Sequence, residues 1–184
     1  QVYKLTGSTA LVGLLGLASL VPLLVVPLVG GAMADAMDRR TVVFLTEIGL
    51  AGLAGLLLVN AVLPEPQIWA LFVLQAVAVA VFSLGRPAMG SLSPRLVPEE
   101  EIAAASALFS VYNSLGSVAG PALGGVLIAV AGVPWAYGID ALTYLASLAA
   151  IRSLPRLPPL EEVERPSVQT ILDFLTARDD VRLL

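Results

Sequence analysis

The chain has 184 residues, 58% of them hydrophobic and only 13% charged, with a mean hydropathy of +0.90 and a net charge of −4. A soluble domain carries about 25% charged residues, so this sequence lacks the polar side chains to cover a water-facing surface, and lipid is its natural solvent. Cysteine and histidine are absent, which excludes a disulfide framework, a Cys/His metal site and a histidine relay, and no basic stripe marks a nucleic-acid footprint.

A membrane-crossing helix needs about 20 mainly apolar residues, and five segments supply them. The first is expected at 10–34, with Pro22 and Pro27 inside it, followed by a short charged loop at 35–40. The second, at 41–63, ends in the turn Pro64-Glu65-Pro66. The third, at 68–92, leads into a connector at 93–101 that holds Pro94, Arg95, Pro98 and the run Glu99-Glu100-Glu101. The fourth is expected at 102–131 and the fifth, the shortest, at 135–151, with the turn Gly132-Val133-Pro134 between them. None of the five has a polar face and none alternates, which argues against a soluble amphipathic bundle and against a β-barrel. The expected fold is all-α, a polytopic transmembrane bundle occupying 1–152. Residues 153–184 change character, with Pro155, Pro158, Pro159, Pro166 and many charges. They read as a cytoplasmic linker with an amphipathic helix at 168–184, or else as a disordered tail.

Short connections make neighbouring helices antiparallel. One set of loops then carries Arg39, Arg40, Arg95, Arg152 and Arg156, and the opposite set only Lys4. The positive-inside rule places the arginine-bearing loops in the cytoplasm and the protein, multi-pass, in the cell membrane (plasma or inner). An outside start with no secretory signal implies one further helix before Gln1.

Two motifs stand out. Gly31, Asp35, Arg39 and Arg40 lie between the first two spans, where a glycine allows close helix approach and a charge cluster at the membrane surface can latch one conformation and release another; a simple topogenic arginine pair is the plainer reading. In the fourth span Gly116, Gly120 and Gly124 recur every fourth residue on one helix face, with Pro121 and Gly125 beside them. Small residues permit close helix contact in lipid, and the proline removes a backbone hydrogen bond and favours a bend. An ordinary glycine packing seam would account for the glycines but not for the proline.

The first motif resembles the Gly-x-x-x-Asp-Arg-x-Gly-Arg-Arg/Lys loop of the major facilitator superfamily, departing from it at Ala36 and Asp38. The second resembles the Gly-Pro-x-x-Gly-Gly core found in helix 5 of that family's antiporters. Both motifs agree on register: the five spans correspond to helices 2–6 of the N-terminal half. Arg86-Pro87-Ala88, the stretch from Pro94 to Pro98, and Ile139-Asp140-Ala141-Leu142-Thr143-Tyr144 are similar to the family's drug- and siderophore-exporting branch. Helix 1 and everything from helix 7 onward would then lie outside this sequence.

Charges inside a span are costly and usually face a cavity or a partner. Glu47 reads as a pathway acid or as a surface partner of Arg39 or Arg40. Arg86 reads as a pathway residue or as an arginine reaching back to the interface. Asp140 reads as a pathway acid or as a helix-start acid favoured by the dipole, and it shares a face with Tyr137, Tyr144 and Ser147. Asn60, Gln75 and Asn113 are expected to hydrogen-bond between helices.

The resemblance implies a secondary active transporter that exports a small amphipathic compound, a drug or siderophore, by alternating access, with a proton as coupling ion and the C-terminal half as its missing complement. A non-transporting membrane module that needs a partner chain is the alternative. No nucleophile–base pair, carboxylate cluster or phosphate-binding loop supports an enzyme or an ATP-driven pump, and no cofactor or metal is expected.

Overall fold

The structure is a computed structural model that describes residues 1–90 and 97–155, with the backbone alone described for 28–36. Among these residues it is built of helices: a short α1 (Val2–Thr6), then α2 (Thr9–Ala36), α3 (Arg39–Val62), α4 (Ile68–Gly90), α5 (Ile102–Val130) and α6 (Val133–Ser153), with a 3-10 turn at Glu99–Glu101. The five expected spans are therefore five long helices, with ends within two residues of those expected: the first and last are longer at both ends, the second starts two residues earlier, and the described parts of the third and fourth end at Gly90 and Val130. The expected linker lies beyond the described residues except for its first three positions, and the expected helix at 168–184 lies wholly beyond them.

The ends follow from local chemistry. Gly7, at φ +65°, takes the left-handed conformation that closes α1, donating its N–H to the Tyr3 carbonyl at 2.8 Å. Ser8 then caps α2 by accepting the Leu11 N–H at 3.3 Å. Between α2 and α3 the expected charged loop shrinks to Met37-Asp38, because Asp38 caps α3 and draws Arg39 and Arg40 into its first turn: Asp38 Oδ1 accepts the Thr41 N–H at 2.9 Å. The three glutamates before α5 sit where the helix dipole favours acids. Gly132, at φ +94°, and Pro134 in the first turn open α6. Pro22, Pro27 and Pro121 each lie inside a helix that continues through them.

Helix α3 is the spine. Val43, Thr46, Leu50, Ala54, Leu57 and Asn60 are buried at steps of three or four, the spacing of one helix face. That face packs against α4 and α6, and α2 packs on α4. Two apolar clusters mark the two ends. One, at the end bearing the arginines, joins Val42, Val43, Ala88 and Ile151 with Met37 and Phe44. The other joins Val2, Leu57 and Leu71 with Leu11, Leu15, Leu74 and Tyr137. Helix α5 has no buried residue and touches the rest chiefly through α6.

Among the described residues four helices are long and apolar enough to cross a membrane: Thr9–Pro27 within α2, then α3, α4, and Glu99–Val130 containing α5. Helix α6 has the length, about 31 Å at 1.5 Å per residue for its 21 residues. Its apolar character is diluted by Pro134, Tyr137, Asp140, Thr143 and Tyr144. Three of these, Tyr137, Asp140 and Tyr144, line a groove against α3 and α4.

Candidate functional site

Along the face of α3, between α4 and α6, runs a groove with a cavity of about 300 Å³. Its walls are apolar, including Leu50, Leu53 and Phe82, and its polar groups are Gln75 from α4 with Tyr137, Asp140 and Tyr144 from α6. Leu57, Gln75 and Tyr137 also line a second cavity of about 210 Å³ toward the end opposite the arginines, so the two are neighbours along one path. Gln1, Val2 and Tyr3 form part of that outer cavity, and the Tyr137 hydroxyl donates to Gln1 Oε1 at 3.1 Å.

The stripe expected from the spacing of Tyr137, Asp140 and Tyr144 is thus brought together on one wall. Glu47, on α3, lies close enough that its charge and that of Asp140 both act on the Tyr144 phenol. Glu47 makes no ion pair with Arg39 or Arg40 among the described residues; Arg40 is engaged with the end of α6. Arg86 stands apart from the stripe. It lies one turn from the end of α4, exposed, with its guanidinium 5.6 Å from the Phe82 ring centroid. Phe82, which lines the groove, links it there.

The loop motif divides into distinct environments. Gly31 and Asp35 belong to the last turns of α2, and their side chains are outside the described residues. Asp38 stands where the family pattern has glycine, and its place explains the exchange: it is a helix N-cap, a position that suits both residues. Arg39 Nε and Nη1 are buried and have no hydrogen-bond partner in the structure. Arg40 reaches across to the end of α6, where Nε donates to the Ile151 carbonyl at 3.0 Å and Nη2 to the Arg152 carbonyl at 2.7 Å.

The glycine motif of α5 packs against nothing among the described residues. A Cβ built at Gly116, Gly120, Gly124 or Gly125 would meet nothing within 4 Å. The close approaches lie instead between α3 and α4, at Gly49 against Val81 and at Gly85 against Thr46. Gly49 opens a repeat with Gly52 and Gly55 in α3, of which only Gly49 meets a neighbour, whereas Gly85 stands alone in its run, so the packing partner and not the spacing distinguishes the two. Asn60 and Asn113 also depart from expectation. Asn60 bonds both ways to the Gln67 backbone in its own hairpin, and Asn113 bonds to the Phe109 carbonyl one turn back.

Residues 2–173 match the sequence model of a family described as transmembrane secretion effector. The enterobactin exporter of Citrobacter koseri is 36% identical over 176 residues, covering 94% of this chain and 41% of that protein. The enterobactin exporter of Shigella boydii serotype 4 is 35% identical over the same shares. That of Salmonella typhi is 36% identical over 179 residues, 95% of this chain and 42% of the relative. The chain therefore spans about two fifths of the length of the curated relatives it matches.

Proposed function

Because the chain belongs to the transmembrane secretion effector family of the major facilitator superfamily, we propose that it forms most of the N-terminal half of a secondary active exporter. It is a multi-pass membrane protein. Its cargo in this reading is a small amphipathic compound, a drug or siderophore. Enterobactin is the first to test, since relatives at 36% identity are named as its exporters. Export runs by alternating access of two halves around a central path and is driven by proton entry.

The observation that carries the reading is the convergence of Asp140, Tyr144, Tyr137 and Gln75 in one apolar groove beside Glu47. A soluble core would bury such groups only when paired. In a bilayer an unpaired carboxylate is costly and is retained where it is used. In this reading Asp140, which lines the groove, and Glu47 of α3 are the acids that take up a proton. Gly31, Asp35, Arg39 and Arg40 act as the gating turn between the first two long helices. The arginine end faces the cytoplasm, where residues 153–184 connect residues 1–152 to the second half. Arg86 guards the cytoplasmic end of α4 as an exposed cation over Phe82.

One observation favours the second reading, a membrane module completed by another chain: α5 presents its whole glycine face unpacked. Both readings are tested in everted vesicles containing the full-length protein. An imposed proton gradient is expected to drive accumulation of enterobactin, and Asp140→Asn to abolish it without loss of protein from the membrane. Undiminished accumulation by the variant removes Asp140 from the coupling, and no accumulation by the unaltered protein favours the module.

A further inference from the structure

The two arginines of the loop motif are neighbours in sequence but meet opposite surroundings. The last carbonyls of any helix lack intrahelical donors, and at the end of α6 a side chain from another helix supplies them. Arg40, in the first turn of α3, spans the Ile151 and Arg152 carbonyls with two donors of one planar guanidinium. The Ile151 carbonyl also accepts the Leu154 N–H at 3.1 Å, so the bond closes the last turn of α6. Cationic groups are favoured at a helix C-terminus by the dipole as well as by hydrogen bonding. The bond to Ile151 is part-buried and rests on an apolar cluster, while the bond to Arg152 lies at the surface. Ile151 is 7% exposed, Val42 and Val43 are 1% and 2% exposed, and Arg152 lays its guanidinium 5.5 Å from the Phe44 ring centroid. Arg39 has none of these ties at Nε and Nη1.

We propose that within the gating turn Arg40 is the fixed brace, the latching being left to the rest of the motif: it welds the start of α3 to the end of α6, so that the α2–α3 turn and the chain leaving α6 at Leu154 move as one body. Motion at the gating turn is thereby transmitted directly to the segment that follows α6. Lysine, with a single ammonium on a flexible stem, does not reproduce a planar fork across two carbonyls. This division of labour rests on the gating reading of the motif, but its structural half is independent of transport.

The test is amide exchange on the full-length protein in lipid nanodiscs, with the Leu154 N–H as reporter, alongside export kinetics in vesicles. Arg40→Ala is expected to speed exchange at the end of α6 by about ten- to a hundredfold, the loss expected for hydrogen bonds from a charged donor. Exchange in the middle of α3 should be unchanged, and turnover should fall with KM unaltered. Arg40→Lys, the milder variant should the alanine protein fail to insert, is expected to restore only part of both. Arg39→Ala is expected to leave the reporter as it is while lowering export. Unchanged exchange at Leu154 in the Arg40 variants overturns the brace. Faster exchange with full turnover leaves the brace a local cap and overturns its transmitting role. If export is intact in the Arg39 variant while the Arg40 results hold, it is the gating reading that fails.

Discussion

Gly85 of α4 lies directly against Thr46 of α3: a Cβ on Gly85 would stand 2.6 Å from Thr46 Oγ1 and 3.2 Å from its Cβ and Cγ2. Thr46 cannot swing clear easily, because it is 7% exposed and its hydroxyl donates to the Val43 carbonyl at 2.9 Å. Gly85→Ala is therefore expected to destabilise the protein by about 1–3 kcal/mol through overpacking. Thermal unfolding in detergent measures it, and the double variant with Thr46→Ala should recover part of the loss. Gly49→Ala should cost less, since its nearest neighbour, Val81 Cγ1 at 3.1 Å, is a methyl that can turn aside.

The five helices were legible because long apolar runs in a chain this poor in charge have few alternatives, and the turns between them are marked by proline, glycine and charge. Their ends were less legible. The charged residues after α2 look like a loop until Asp38 is seen to cap α3. The stripe of Tyr137, Asp140 and Tyr144 was readable from helical spacing alone, whereas Gln75 joined it only through the packing of α4. Arg40 gave no signal of its partner, which lies 111 residues away and is backbone. A carbonyl at a helix end exists at every helix, so only the fold selects which one an arginine meets.

The N-cap offers a sharper test of the departure from the family motif. Asp38 Oδ1 also accepts the Thr41 hydroxyl at 3.3 Å, so one carboxylate serves two donors. Asp38→Ala is expected to cost about 0.5–2 kcal/mol, while Asp38→Gly, the residue of the family pattern, should cost only a few tenths. Thermal unfolding of the two variants side by side checks the order. A reversed order would mean that Asp38 matters for a reason other than the cap.

Asn60 is 5% exposed and spends its whole amide on the α3–α4 connection, accepting the Gln67 N–H at 2.9 Å and donating to the Gln67 carbonyl at 3.3 Å. Asn60→Ala would strand both backbone groups at about 1–3 kcal/mol. The effect should appear in thermal stability with export per folded molecule unchanged, because the residue lies away from the groove. A selective loss of export at normal stability would move Asn60 into the pathway.

The glycine face of α5 gives a prediction whose sign is informative. Glycine inside a helix costs about 1 kcal/mol relative to alanine, and Gly116, Gly120 and Gly124 repeat that cost on a face with no neighbour within 4 Å. If lipid covers the face, Gly120→Ala stabilises the full-length protein by relief of that cost. If another helix packs there, the added methyl meets it and costs about 1–3 kcal/mol. A helix is the expected occupant, since three glycines at every fourth position are what allows two backbones to approach in a bilayer. Export should fall with stability in Gly120→Val, whose branched side chain cannot be absorbed by a small shift. The same substitution at Gly13, which also meets nothing within 4 Å but stands outside the repeat, supplies the control. Equal tolerance at both positions would show that the seam of α5 faces lipid and that no partner helix packs there.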